Sequence, residues 1–248
     1  MPEISESAYL VTAGWSDVPH LDEDTKRTLL DRTPPYLRDA RSKGTPSLGA
    51  GAIFPIPESE ITVPMMAIPA HWRRSYAMDV GWNRTAGLWI AEDPDTGICY
   101  AYSEYYVGQK EPSIHATAFK ARGLWVPGAI DPAARGRSQK DGERLMEAYE
   151  QLGLNLTKAD NAVEAGIYDV WDMLSTGRLK IMVHLKNWLG EYRLYRRDER
   201  GHIIKKNDHL MDCTRYWVKT GRSIAIAKPF ETGNFEQAAM GGDSRMGY

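Results

Sequence analysis

The sequence has few cysteines, no long apolar run and no excess of charge of either sign. Its two cysteines, Cys99 and Cys213, are too few and too far apart for a disulfide framework or a Cys-based zinc site, so a reducing setting is expected. No apolar run approaches the roughly 20 residues that span a bilayer. The opening MPEISESAYL lacks the basic start and apolar centre of a signal peptide. The sequence therefore predicts a soluble protein.

The charge balance limits the classes of partner. Lys and Arg number 31 against 33 Asp and Glu, which gives a formal net charge of -2. This balance argues against a protein held on nucleic acid by bulk charge alone, but it is compatible with an acidic metal site offset by basic surface elsewhere. The 248 residues, of which 42% are hydrophobic, suffice for one sizeable domain with extensions or for two small ones.

The residue composition and pattern of the chain change at two positions. Residues 1–70 are interpreted as a linker: two short helices, with Asp22 as an N-cap, precede a Gly- and Pro-rich connection. Residues 71–222 carry the patterns of a folded domain. Residues 223–248, rich in Gly, Ala and Met near the end, are predicted to be a flexible tail.

Strand patterns open the predicted domain. RSYAMDVGW, TAGLWIAED and ICYAYSEYYVG are rich in β-branched and aromatic residues and are separated by turn signals, which predicts an antiparallel meander. Helices then alternate with two further strands, LWVPGAID and NLTKA, and a basic hairpin precedes a last amphipathic helix. This order predicts an α/β protein with a mixed five-stranded sheet flanked by helices, the arrangement of the RNase H-like (RuvC-like) fold.

Acidic residues fall where such a fold brings chain segments together. Asp79 lies inside the first strand and Asp131 ends the fourth, while Asp208, His209 and Asp212 begin the last helix. Paired divalent cations about 4 Å apart need a shared carboxylate and further anionic ligands. Mg²⁺ prefers oxygen ligands, and Mn²⁺ accepts an imidazole as well. The pattern therefore indicates a site for two Mg²⁺ or Mn²⁺ ions.

Each of these residues also has a structural explanation. Asp79 could form a buried salt bridge, although an Asp among apolar neighbours is costly to bury. Asp131 could shape a turn before a proline, and Asp208 could be a helix N-cap. Asp212 could favour the helix dipole, and His209 could be a surface histidine. The combination of positions, rather than any single residue, favours the metal site.

At these residues the chain resembles the C-terminal nuclease domain of the large terminase subunit of tailed bacteriophages. The matching features are AMDVGW, GAIDPAARG and NDHLMDCTRY, the last of which is similar to the family's D-H-x-x-D-A-x-R-Y. SDVPHLDED and LRDARSKGTPSLGAGAIFPIPE resemble the segment that joins the packaging ATPase to the nuclease, so the resemblance covers about residues 9–220. It implies a two-metal endonuclease that cuts concatemeric double-stranded DNA with little sequence specificity in the host cytoplasm.

The resemblance also implies roles for individual residues. By position, Asp79, Asp131 and Asp212 would be the catalytic metal ligands, His209 would lie beside the second metal, and Asp208 is a further candidate ligand. Cys213 stands where the family usually has Ala, a small-for-small change. No GxxxxGK[ST] phosphate loop occurs, so the packaging ATPase domain is expected outside this sequence. The portal protein, which the tail would contact, and the small terminase subunit are the other implied partners, with no membrane.

Basic residues are predicted to border the acidic cleft and to hold DNA phosphates without reading sequence. They follow Asp131 or lie on the hairpin before the last helix: Arg135, Arg137, Lys140, Arg196, Arg197, Arg200, Lys205 and Lys206. For any one of them a solvated charged surface is the alternative. The aromatic residues at strand and helix-face positions are interpreted as core: Trp89, Trp125, Trp171, Trp188 and Trp217.

Two rival functions remain open from the sequence. One is another RNase H-like nuclease, such as a junction resolvase. The other is a non-catalytic module that docks on DNA or on the portal and whose acids are structural.

Overall fold

A computed structural model describes residues 13–31, 51–131, 139–198 and 200–229, with the short segments 3–5, 8–9 and 42–43. The strands in these residues are β1 Glu3–Ser5, β2 Ala8–Tyr9, β3 Thr62–Val63, β4 Arg73–Asp79, β5 Thr85–Glu92, β6 Cys99–Val107, β7 Gly128–Ile130, β8 Leu156–Lys158 and β9 Leu179–Met182. The helices are α1 Glu23–Asp31, α2 Glu58–Ile61, α3 Pro112–Lys120, α4 Gln139–Gln151, α5 Val163–Ser175, α6 Lys186–Leu194, α7 His209–Tyr216 and α8 Arg222–Ile224, with a π-helical turn at Trp217–Gly221. Among them, none combines the length and apolar character that crossing a membrane requires.

Strands β3 to β9 form one mixed sheet in the order β3-β9-β6-β5-β4-β7-β8, and β1 pairs with β2 separately. The predicted meander is present, since β4, β5 and β6 pair antiparallel. Strands β7 and β8 continue the sheet in parallel beside β4, and β9 and β3 do so beyond β6. In the described chain this sheet has seven strands, so the prediction of five was too low. The additional pair, β3 and β9, are two and four residues long and therefore show no clear alternation in the sequence.

The alternation of side chains along β4 separates two hydrophobic clusters. Tyr76 and Met78 belong to a cluster with residues of α3 and α4, whereas Ala77 belongs to a cluster with residues of α5, α6 and α7. Because side chains two apart on a strand share a face, Asp79 is directed to the same side as Ala77. The strand pattern thus aims Asp79 towards α7.

The predicted core tryptophans divide into two groups. Trp89, Trp188 and Trp217 are fully buried, as predicted. Trp125 is half-buried and packs against the cluster that contains Tyr76 and Met78, whereas Trp171 is 38% exposed, so the interpretation as core was wrong for Trp171. Trp171 lies at the edge of the buried face of α5, where its ring contacts the ring of the more exposed Tyr168.

Part of the predicted linker lies against the sheet. Phe54 and Ile61 are buried, and β3 pairs with β9. The Tyr192 hydroxyl donates to the carbonyl of Ile56 at 2.8 Å, which ties this segment to α6. Near the C-terminal end of the described chain, Ile226 forms an antiparallel bridge with Arg74. Residues 230–248 of the predicted tail lie outside the described residues.

Gly128 is expected to be essential for packing between β7 and β4. A Cβ at this position would stand 2.2 Å from two ring carbons of Tyr76, a fully buried side chain. Gly128→Ala should therefore lower the free energy of unfolding by about 1–3 kcal/mol, because a packed core cannot take the extra methyl group. Urea denaturation followed by circular dichroism measures this change.

Gly190 provides a matched control. It lies within α6, and a Cβ there would meet nothing within 4 Å. Gly190→Ala should raise the free energy of unfolding by about 0.5–1 kcal/mol, because alanine loses less backbone entropy in a helix. Equal effects of the two substitutions would contradict the packing explanation.

Candidate active site at the end of the central strands

Strands β4 and β7 bring Asp79 and Asp131 side by side. The two strands are parallel neighbours with Met78 opposite Ile130, and the backbone amide of Asp131 donates to the carbonyl of Met78 at 3.0 Å. Each aspartate directly follows this matched pair, so both leave the sheet on the same face about one strand spacing apart. Two acids that are 52 positions apart in the sequence thus become neighbours.

Helix α7 closes the site from the same face. It packs on β4 and β5, and Nδ1 of His209 lies 2.7 Å from Oδ2 of Asp79. Burial raises the pKa of Asp79, the hydrogen bond from His209 opposes that shift, and the charges of Asp131 and Asp212 add to it. The hydrogen bond to Asp79 in turn raises the pKa of His209. The structure therefore brings Asp79, Asp131, His209 and Asp212 into one electrostatic unit.

Two residues one helical turn after Asp212 hold the carboxylates in place. Arg215 donates to Oδ1 of Asp212 at 2.9 Å, and the Tyr216 hydroxyl donates to Oδ1 of Asp131 at 2.8 Å. Burial, followed by the charge of Asp131, raises the pKa of Tyr216, so the phenol remains a donor. Neither role was predicted, although the R-Y that ends the motif NDHLMDCTRY was the available signal.

Arg215 is itself buried, with 2% of its surface exposed. Its other terminal nitrogen donates to Oδ1 of Asn161 at 2.9 Å. Gly166 on α5 leaves room for the aliphatic part of the Arg215 side chain, because a Cβ at position 166 would stand 2.4 Å from Cγ of Arg215. The contact between α5 and α7 therefore depends on the absence of a side chain at position 166.

The first turn of α7 is capped by a residue from another helix. Asp208 occupies the N-cap position but makes no capping hydrogen bond, which corrects the interpretation of its side chain as the cap. Instead, Oε2 of Glu191 on α6 accepts from the amides of Leu210 and Met211 at 2.6 and 3.3 Å, and its Oε1 accepts from the Tyr106 hydroxyl at 2.6 Å. Burial raises the pKa of Glu191 against these hydrogen bonds.

Glu191 was not predicted to have a role. It lies between Trp188 and Tyr192 on the buried face of α6, with 3% of its surface exposed. A carboxylate on an otherwise apolar helix face was the signal in the sequence, because such a group needs donors to be buried.

The ammonium of Lys205 contacts two of the acidic side chains of the site. Its ammonium nitrogen is 3.2 Å from Oδ2 of Asp208 and 3.3 Å from Oδ2 of Asp212. Among the described residues, Oδ2 of Asp208 has no hydrogen-bond donor in good geometry, although Asp208 is only 8% exposed. Among the described residues, the Lys205 ammonium is the cation that forms an ion pair with that oxygen.

The other predicted DNA-binding residues fall into three groups. Arg197 is paired with Glu164 at 2.6 Å. Arg196, Arg200 and Lys206 are exposed and form no ion pair within the described part of the chain. The remaining residues are not described: Arg135 and Arg137 lie outside the described residues, as does the side chain of Lys140.

The donor set suits a hard divalent cation, since it offers carboxylate oxygens and one imidazole. Across the described residues, however, no three His, Cys, Asp or Glu side chains are already arranged to hold one metal ion. Tyr216, Arg215 and Lys205 each engage one of the carboxylates. The mutual repulsion of Asp79 with Asp131 and Asp212 favours a cation among them. Binding of one ion by three of these side chains would therefore require them to rearrange.

Comparison with known proteins decides the family. The model of the terminase RNaseH-like domain matches residues 76–219, more than half of the chain, and this range contains Asp79, Asp131 and Asp212. The chain belongs to this family. The predicted resemblance to large terminase subunits is thus confirmed, as is the RNase H-like fold.

Two individual relatives support the assignment of this terminase domain to the family. The large terminase subunit of Salmonella phage P22 is 30% identical over 228 residues, which are 86% of this chain and 44% of the relative. That of Enterobacteria phage LP7 is also 30% identical over 228 residues, 46% of its length. The chain therefore spans less than half the length of either relative.

Solved structures share the fold. The P22 large terminase nuclease domain matches with a TM-score of 0.67 and 30% identity, covering 73% of this chain and 96% of that domain. The large terminase of the thermophilic bacteriophage D6E matches with a TM-score of 0.59 and 22% identity, covering 84% of this chain and 55% of the other.

Proposed function

We propose that this terminase domain is a metal-dependent endonuclease that cuts concatemeric double-stranded DNA with little sequence specificity during viral genome packaging. The observation that carries the proposal is the meeting of Asp79 and Asp131, on adjacent strands in register, with His209 and Asp212 on α7. Carboxylates gathered in this way at strand ends and a helix start are suited to phosphodiester hydrolysis assisted by cations.

In this proposal Asp79, Asp131 and Asp212 hold two Mg²⁺ or Mn²⁺ ions together with His209, and Asp208 is a further ligand. When bound, the ions supply the Lewis acidity that ionises a water molecule and stabilises the leaving 3′ oxygen. The residues around the ligands fix their orientation: Arg215 and Tyr216 direct the carboxylates that they contact. Such outer partners commonly decide metal affinity, because they set the angle of each ligand.

DNA would lie across the hairpin that precedes α7. Arg196, Arg200 and Lys206 expose their charges there without an ion pair in the described structure, so phosphates can approach them. Arg135, Arg137 and Lys140 would extend the same surface beyond Asp131. Contacts of this kind position a duplex without reading its bases, which agrees with cleavage that has little sequence preference.

The wider assembly is proposed from the relatives, which are large terminase subunits of phages. On that basis the domain would act with a packaging ATPase domain, the portal protein and the small terminase subunit, in the host cytoplasm. A near-neutral domain binds DNA weakly by charge alone, so tethering by these partners would raise the local DNA concentration.

The proposal is tested by incubating supercoiled plasmid with the protein and millimolar Mn²⁺ or Mg²⁺, with EDTA as the control. Nicked and linear products that require the metal are expected. A parallel reaction on a four-way junction distinguishes the rival nuclease, since preference for the junction over linear duplex would indicate a resolvase. Absence of both Mn²⁺ binding and cleavage would support a docking module instead.

A further inference from the structure

Asp208 presents a buried carboxylate that does not cap α7. It stands at the N-cap position, but Glu191 performs the capping. Asp208 is 8% exposed, and among the described residues its Oδ2 lacks a hydrogen-bond donor in good geometry. A buried carboxylate oxygen without a well-placed donor is costly, so this oxygen remains able to accept a cation.

The group that faces this oxygen is a largely exposed cation. The ammonium of Lys205 lies between Oδ2 of Asp208 and Oδ2 of Asp212, 3.2 and 3.3 Å away. Burial opposes its charge, but Asp212 and Asp208 outweigh that effect and raise the pKa of Lys205, so the side chain is an ammonium. The Lys205 side chain is 59% exposed, and an ion pair on such a flexible stem is worth little free energy. It can therefore leave at small cost.

We propose that Lys205 is an internal cation that competes with a divalent metal ion for Asp208 and Asp212, and that a DNA phosphate draws it away when substrate docks. The positions make this exchange direct, because Lys205 follows the hairpin whose exposed basic residues would meet the phosphates. The part that involves DNA rests on the proposed function, whereas the competition with metal does not.

The exchange has a thermodynamic consequence. If DNA removes Lys205 from the acids, DNA strengthens metal binding, and by linkage metal strengthens DNA binding by the same factor. The site would then fill with metal mainly when DNA is present, which limits cutting to the docked substrate. Lys205 is a positioning residue in this scheme, since it acts through the two aspartates.

The test is a Mn²⁺ binding isotherm without DNA, measured by electron paramagnetic resonance of free Mn²⁺, for the wild-type protein, Lys205→Gln and Lys206→Gln. Lys206 is the next residue, is exposed and forms no ion pair in the described structure, so its substitution removes the same charge without freeing the acids. Lys205→Gln should bind Mn²⁺ about fivefold to tenfold more tightly, the equivalent of losing two weak ion pairs. Lys206→Gln should stay within about twofold of wild type.

Two further measurements complete the test. Lys205→Arg keeps a cation near the acids and should bind Mn²⁺ less tightly than Lys205→Gln. In plasmid cleavage, the Mn²⁺ concentration that gives half-maximal rate should depend less on DNA concentration in Lys205→Gln than in wild type. Equal Mn²⁺ affinity in Lys205→Gln and wild type, or an equal gain in Lys206→Gln, would overturn the inference. Absence of cleavage by the wild-type protein would instead refute the proposed function and leave the binding result to stand alone.

Discussion

Asp79→Asn is expected to reduce Mn²⁺-dependent plasmid cleavage by more than about 100-fold, the loss that removing even an outer partner of a metal ligand can cause. Asp79 is the acid on which the site converges, because His209 donates to it and both Asp131 and Asp212 lie close enough to shift its pKa. The amide removes one negative charge and one ligand oxygen while keeping the shape of the side chain.

The fold should survive this substitution. Without metal, replacing a carboxylate that is crowded by other acids relieves repulsion, so the free energy of unfolding should not fall. Mn²⁺ should raise the melting temperature of the wild-type protein, since it binds only the folded state, and should raise that of the variant much less. Asp95→Asn, in the exposed turn between β5 and β6 at the opposite end of β5, is the matched control and should behave as wild type. Full cleavage by Asp79→Asn would remove the basis of the proposed mechanism.

Glu191→Ala should lower the free energy of unfolding by about 3 kcal/mol and also impair cleavage. The substitution leaves two buried donors, the amides of Leu210 and Met211, and one part-buried donor, the hydroxyl of Tyr106, without their acceptor. Two of these begin α7, so the positions of His209 and Asp212 depend on the same carboxylate. Urea denaturation measures the stability, and plasmid cleavage is measured at a temperature where the variant remains folded.

Two control variants separate the cap from a general effect. Glu191→Gln keeps the size of the side chain and one acceptor oxygen, so its cost should be only about 1 kcal/mol, the typical worth of a cap. Glu150→Ala, at an exposed position on α4, should change the stability by less than about 0.5 kcal/mol. If Glu191→Ala were as stable as Glu150→Ala, the capping role would be wrong.

Features with a local sequence signal were predictable, and those that depend on packing were not. The meander was readable because β4, β5 and β6 are long, and Asp79 stood out because its neighbours in β4 are apolar. By contrast, β3 gains its strand character only from pairing with β9. No local pattern could reveal that pairing.

The same distinction applies within the site. Asp208 carries the side chain typical of an N-cap, and only the approach of α6 shows that Glu191 takes over that role. Lys205 was predicted to contact phosphates from its place in a basic hairpin, whereas the folded chain places its ammonium on the acids. For Asp208, a residue on another helix decides the outcome. For Lys205, the path of the backbone before α7 decides it. In both cases the sequence alone does not distinguish between the two possible partners.

Residues 51–63 are attached to the sheet and to α6, so they can carry a force into the domain. Tension on the chain before residue 51 would pass through β3 to β9, and through the hydroxyl of Tyr192 to α6. Helix α6 also holds the start of α7 through Glu191. Tension on the chain before residue 51 would therefore strain the helix that carries His209 and Asp212, and the proposed cleavage would become sensitive to load.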